Sequence, residues 1–78
     1  MEVVKEDEYV VDGSARLEDI SELIGVEVES EELDSVGGLI IEDLGRIPEE
    51  NEEVSINNIR FIVEEVDKNR IKKVRIYT

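Results

Sequence analysis

The residues of this chain best equipped for chemistry are carboxylates, and they cluster. Glu27, Glu29, Glu31, Glu32 and Asp34 crowd one stretch, and Glu49, Glu50, Glu52 and Glu53 a second. Several oxygens converging on one point are what a hard divalent cation such as magnesium or calcium requires. The first stretch lacks the acid spacing and central glycine of an EF-hand loop, and carboxylates at every second position share a face only in extended backbone. The spacing therefore favours a solvated acidic loop over an ion site at 27–34, and the same holds at 49–53. Gly37-Gly38, at the start of an apolar helical pattern, offers a different chemistry: exposed N–H groups and a helix dipole that could hold a phosphate. No dinucleotide fingerprint or P-loop lysine accompanies the pair, and the nearby carboxylates repel a nucleotide, so close packing is the favoured role. Glu42 and Asp43 occupy adjacent helical positions that face different ways, which is no general acid/base pair. The chain has no histidine and no cysteine, which removes the commonest transition-metal ligand, the usual general base and every thiolate. No catalytic, cofactor-binding or metal-ligating residue is assigned.

The whole-chain charge narrows the partners further. Thirteen net negative charges on 78 residues argue against nucleic acid and against acidic lipid, because binding phosphates requires a Lys/Arg surface that releases counterions. Nineteen of the 22 acids lie in residues 1–57, whereas six of the nine bases lie beyond them, so a basic C-terminal segment offsets an acidic body. A chain of this length makes one domain and buries only roughly 60–65% of the surface it exposes when unfolded. No apolar run approaches the ~20 residues of a membrane span, and the start MEVVKEDEYV lacks the basic end and apolar stretch of a signal peptide. A soluble segment is expected.

The elements that must position these residues follow from periodicity. Residues 1–7 carry four charges and no turn signal, and are expected to be a tail or the end of a linker. Tyr9, Val10 and Val11 form a short strand closed by Asp12-Gly13, whose glycine can take a positive φ. Leu17, Ile20, Leu23 and Ile24 recur at helical spacing, with Gly25 as the left-handed stop. Val26 and Val28 alternate as a brief strand would. Asp34 or Ser35 caps a second helix carrying Val36, Leu39, Ile40 and Leu44, which ends at Gly45. The two glycines in its first turn cost roughly 1 kcal/mol each relative to alanine, so close backbone approach should compensate. Val54 and Ile56 make another strand, Asn57-Asn58 a tight turn, and 59–66 and 70–78 an antiparallel hairpin around Asp67-Lys68-Asn69. Ile59, Phe61 and Val63 should share one face, and Glu64 or Glu65 should oppose Lys72 or Lys73.

In that order and spacing, Val11-Asp12-Gly13, Leu17 through Gly25, Gly38-Leu39, Leu44-Gly45-Arg46-Ile47-Pro48, Phe61-x-Val63, Arg70-Ile71 and Val74-Arg75-Ile76 make the chain resemble the CorC/HlyC transporter-associated domain. The resemblance covers about residues 8–77, leaving 1–7 as the tail and 8–78 as the domain. The chain departs from the family pattern where Asn51, and Asn57 or Asn58, replace customary glycines, and where Glu29 or Ser30 replaces a proline. Asparagine is the best non-glycine residue at positive φ, so those turns should survive.

The resemblance implies an α+β fold, a small mostly antiparallel sheet with two short helices, similar to small domains of flavin-binding proteins. It implies a non-catalytic accessory role in a membrane-associated transport protein of the magnesium/cobalt efflux or hemolysin-like kind. There the domain would follow a pair of CBS domains and a membrane region, on the cytoplasmic side, and act by docking to them. Self-association and a divalent cation stay open as further partners. Two rival roles also stand: ion sensing by the acidic loop, and a flavin- or nucleotide-binding fragment.

Overall fold

The computed structural model describes residues 2–28 and 34–78. Five strands and two helices run in the order β1 (Glu2–Lys5), β2 (Glu8–Asp12), α1 (Leu17–Ile24), α2 (Val36–Leu44), β3 (Glu53–Ile56), β4 (Ile59–Asp67) and β5 (Arg70–Tyr77). The strands form one sheet of order β1-β2-β5-β4-β3, and every neighbouring pair is antiparallel. The fold is thus α+β, with the helical pair inserted between a strand near one edge of the sheet and the strand at the other.

One face of the sheet carries the core. Ile59, Phe61 and Val63 of β4 meet Val74 and Ile76 of β5 and Val11 of β2, all buried. Leu17, Ile20 and Ile24 of α1 and Val36 and Ile40 of α2 join the same cluster, so both apolar helix stripes press onto that face. Burying each of these side chains contributes about 1.5–3 kcal/mol, which is the main force holding a sheet this small.

Two irregularities keep the long hairpin in phase. Strict alternation would turn Val66 outward after Val63, and Ile71 outward before Val74. The pairing steps past Glu64 on β4 and past Lys72 on β5, so Val63 faces Val74 and Val66 faces Ile71. Each extra residue is a β-bulge that returns the next apolar side chain to the core. The expected opposition of Glu65 and Lys73 is present in the register, but no ion pair joins them among the described residues. The charge partner of this hairpin is Arg75, which engages Glu64.

The turns follow the asparagines. Asn57 and Asn58, at φ 52° and 67°, connect β3 to β4 as the two-residue loop whose twist suits a hairpin, and Asn51 sits at φ 69°. Both helices end on a left-handed glycine, Gly25 and Gly45.

Three expectations need correction. Residues 2–5 are not a tail: Val3 lies opposite Tyr9 and Glu2 opposite Val10, so the segment is an edge strand. Four residues with two charges carry too little periodicity to announce a strand that is defined by its partner. Val26 and Val28 form no strand; the buried Val28 donates its N–H to Ser21 Oγ at 2.8 Å, and that hydroxyl lies 2.9 Å from the Leu17 carbonyl oxygen. Gly13 does not adopt a positive φ. Its role is proximity, since a Cβ there would stand 1.9 Å from the Ile71 carbonyl oxygen.

Candidate functional site

The two helix starts are sewn together by backbone. Val36 N–H donates to the Ala15 carbonyl at 3.0 Å, Gly37 N–H to Gly13 at 2.9 Å, and Leu17 N–H to Asp34 at 2.8 Å. Ser35 caps α2, its hydroxyl accepting from Gly38 N–H at 3.2 Å. These bonds decide the phosphate question raised by Gly37-Gly38. An anion cradle needs unsatisfied N–H groups at the helix start, and here the first three helical donors are all engaged by the protein itself. A Cβ on Gly37 would lie 2.7 Å from the Gly13 carbonyl oxygen, so the glycine serves close backbone approach, as its cost implied. Beside this junction lies a crevice of about 340 Å³, with Ser14, Ser35, Ile41, Arg70 and Lys72 in its wall.

The second acidic cluster is dispersed by its partners. Arg46 holds Glu52 in a two-pronged ion pair, and the Glu52 carboxylate also accepts from Glu49 N–H at 3.0 Å. Glu53 pairs with Arg60 across the β3–β4 ladder at 2.6 Å. The hydrogen bonds from Arg46 and Arg60 hold the Glu52 and Glu53 carboxyls below the usual carboxylate range. Among the described residues no three acids converge on a point that could hold a metal ion. Glu27 and Asp34 are exposed, whereas Glu29, Glu31 and Glu32 lie outside the described residues. Glu42 and Asp43 are exposed on α2.

The sheet face opposite the helices holds an arrangement that motif reasoning did not reach. Val10 and Ile62 flank Arg75 in one cross-strand row, and Glu8 and Arg60 flank Tyr77 in the next. Arg75 reaches both Glu8 and Glu64, Lys5 meets Glu8 at 3.6 Å, and the Arg60 guanidinium lies 5.3 Å from the centre of the Tyr77 ring. Glu8 is only 7% exposed although no described helix packs on this face, because Arg75 and neighbouring side chains enclose it. The hydrogen bond to Glu64, and to a lesser extent that to Glu8, raises the already high basicity of Arg75. Val10, Ile62 and Tyr77 are half-buried and stand outside the core cluster. The alternation of β5 carried the signal: Arg75 and Tyr77 fall between the core residues Val74 and Ile76 and beyond them.

This ion-paired, half-apolar face contains no nucleophile set beside a base. No described helix is long and apolar enough to cross a membrane.

Known proteins place the fold. A magnesium and cobalt efflux protein CorC of Pasteurella multocida is 32% identical over 68 residues, which are 87% of this chain and 23% of that protein. Hemolysin C of Brachyspira hyodysenteriae is 35% identical over 69 residues, 87% of this chain and 26% of that protein. The chain thus spans about a quarter of the length of these relatives. A crystal structure of a putative Mg2+ and Co2+ transporter (CorC) associated region from Neisseria meningitidis superposes with a TM-score of 0.89 at 32% identity, covering 97% of this chain and 94% of that one. The family described as the transporter associated domain matches residues 2–78, reaching into β1, and this chain belongs to that CorC/HlyC family.

Proposed function

We propose that the chain is a non-catalytic accessory domain of a membrane-associated ion transport protein and acts by docking onto neighbouring domains, among them the CBS pair that the resemblance implies. The observation that carries this is the pairing of its polar groups. Glu52 and Glu53 of the second cluster are tied to Arg46 and Arg60, the first α2 donors to the Ala15 and Gly13 carbonyls and the Ser35 hydroxyl, and Glu8 to Arg75, an arrangement that holds a shape rather than setting a nucleophile beside a base. What the fold leaves open is a recognition surface. The consumed N–H groups at α2 also count against a flavin- or nucleotide-binding fragment, which would need them for phosphate. The names of the relatives supply the transport context, magnesium and cobalt efflux. The cytoplasmic side is the expected place for such a domain.

Docking is tested by titrating the isotopically labelled domain with the CBS-containing remainder of its parent protein. Amide shifts that saturate and map to one contiguous face support the reading. An unchanged spectrum at ~1 mM partner contradicts it.

A further inference from the structure

We propose that the crevice beside the start of α2 is a docking slot for an acidic segment of a partner chain: an apolar side chain of that segment sits in the crevice, and a neighbouring carboxylate is held by Arg70 and Lys72. The proposal rests on the docking reading above and names the chemistry of the partner.

The wall of the crevice is of two kinds. Ile41 of α2 and Ile71 of β5 make its apolar part, and Gly37 and Gly38 add wall without side chains to fill the space. Arg70, Lys72 and the Ser14 hydroxyl make its polar part, against one acid, Asp12, among the described residues. At about 340 Å³ it stands near the small end of ligand sites, which run from roughly 300 to 1,000 Å³, so it suits one or two side chains and not a dinucleotide.

Charge chooses the occupant. Lys5, Arg46, Arg60 and Arg75 are held in ion pairs, whereas no described acid lies within ion-pair reach of Arg70 or Lys72. Of the acids nearby, Asp12 and Glu65 flank Lys73 in one cross-strand row, and Asp67 stands opposite Arg70 at the hairpin end. Lys72, looped out at the bulge, has no β4 residue opposite. Arg70 and Lys72 against Asp12 leave the crevice wall one net positive charge on a chain that carries −13. An acidic segment is repelled over most of this molecule and attracted here, so the slot is selective by contrast.

The donors that remain set the ligand group. The first N–H groups of α2 are engaged within the protein, so an anion in the crevice must be held by side chains. A guanidinium fork beside an ammonium matches a carboxylate, and the apolar wall next to them matches the hydrophobic side chain of an adjoining residue.

The test is a titration of the isotopically labelled 78-residue chain with the acetylated, amidated tripeptide Glu-Leu-Glu in roughly 0.15 M salt, where a Debye length of about 8 Å screens the distant carboxylates but not the bases of the slot. The expected result is saturable amide shifts confined to Gly37, Gly38, Ile41 and residues 70–72, with a dissociation constant on the order of 1 mM. Arg70 and Lys72 are exposed, so their replacement should leave the circular dichroism unchanged. Arg70→Ala and Lys72→Ala should each weaken binding roughly three- to tenfold, whereas Lys73→Ala, on the same strand but outside the crevice, should change it by less than about twofold. Gln-Leu-Gln should show no saturation up to about 10 mM, and isovalerate, a leucine-like tail on a single carboxylate, should bind roughly tenfold more weakly than Glu-Leu-Glu. Should Arg70→Ala not fold, Lys72→Ala and the shift map of the unaltered chain decide. Absence of saturable shifts with Glu-Leu-Glu, or equal losses from Lys72→Ala and Lys73→Ala, would overturn the proposal. Isovalerate as tight as the peptide would overturn it in favour of a small-molecule site. None of these outcomes touches the accessory reading, because shifts on another face in the titration with the parent protein would still support docking.

Discussion

Single residues in this fold matter chiefly where backbone meets backbone. Gly13 lies under the Ile71 carbonyl, and its own carbonyl receives Gly37 N–H, so β5, the β2–α1 turn and α2 meet at one glycine. Neither side is a flexible side chain that could yield. We predict that Gly13→Ala costs about 3–4 kcal/mol, read as a loss of midpoint in urea unfolding, because the backbone of β5 or α2 must move. Lys68 is the opposite case. It takes φ 56° in the β4–β5 turn, where a side chain costs about 1–2 kcal/mol. Glycine there would lose roughly 0.5–1 kcal/mol through its freer unfolded state, so Lys68→Gly should gain about 0.5 kcal/mol and raise Tm by about 2–4 °C. The close-approach role of Gly37 was legible as an unexplained helix cost, but that of Gly13 was not, since a glycine after aspartate reads first as a turn.

At the scale of elements, the helices and the long hairpin were open to inspection because their apolar stripes and glycine stops are local signals. The β1 strand was not, since a short edge strand is specified by what it pairs with. The bulges were half visible: the doublets Glu64-Glu65 and Lys72-Lys73 each put two polar residues between core positions, which breaks alternation unless one is looped out. For a related reason spacing alone could not decide the second carboxylate cluster. Whether acids converge depends on partners several residues away, as Arg46 is from Glu52, and sequence spacing does not show them. That pair also gives a pH prediction for the α2–β3 connection. Glu52 is held below the usual carboxylate range by Arg46, so the fold favours its charged form. The stability this confers is present above the unfolded value of about 4.3 and is lost as pH falls through the lower folded value. Thermal melts of the wild type and Arg46→Ala should differ at neutral pH and converge in acid, once Glu52 is protonated in the folded state as well. A gap that persists in acid would show that Arg46 acts through packing instead.

Over the whole molecule, net charge sets the conditions of stability. The molecule measures 30 × 26 × 19 Å, and the Debye length is about 30 Å at 0.01 M salt but about 3 Å at 1 M. At low salt every excess carboxylate therefore feels the others, and adding salt relieves repulsion faster than it weakens the few surface pairs. Tm should rise between ~0.01 M and ~0.5 M sodium chloride; each 1 kcal/mol of relieved repulsion is worth about 4–8 °C in a domain of this size. A flat or falling response would mean that the ion pairs outweigh the excess. The family and the class of fold were legible from the order of the glycine-stopped helices and the final hairpin. The Arg75-centred network of the open sheet face was not, because it is made by the register of β2, β4 and β5, which only the assembled sheet reveals.

The most direct test of the proposed accessory role is magnesium and cobalt efflux from cells carrying the proposed parent transport protein with and without this domain. Deletion should leave the parent in the membrane but change its efflux, and supplying the domain as a separate chain should restore it at least partly. Efflux indistinguishable from that of the intact parent, with the truncated protein present in equal amount, would contradict the account.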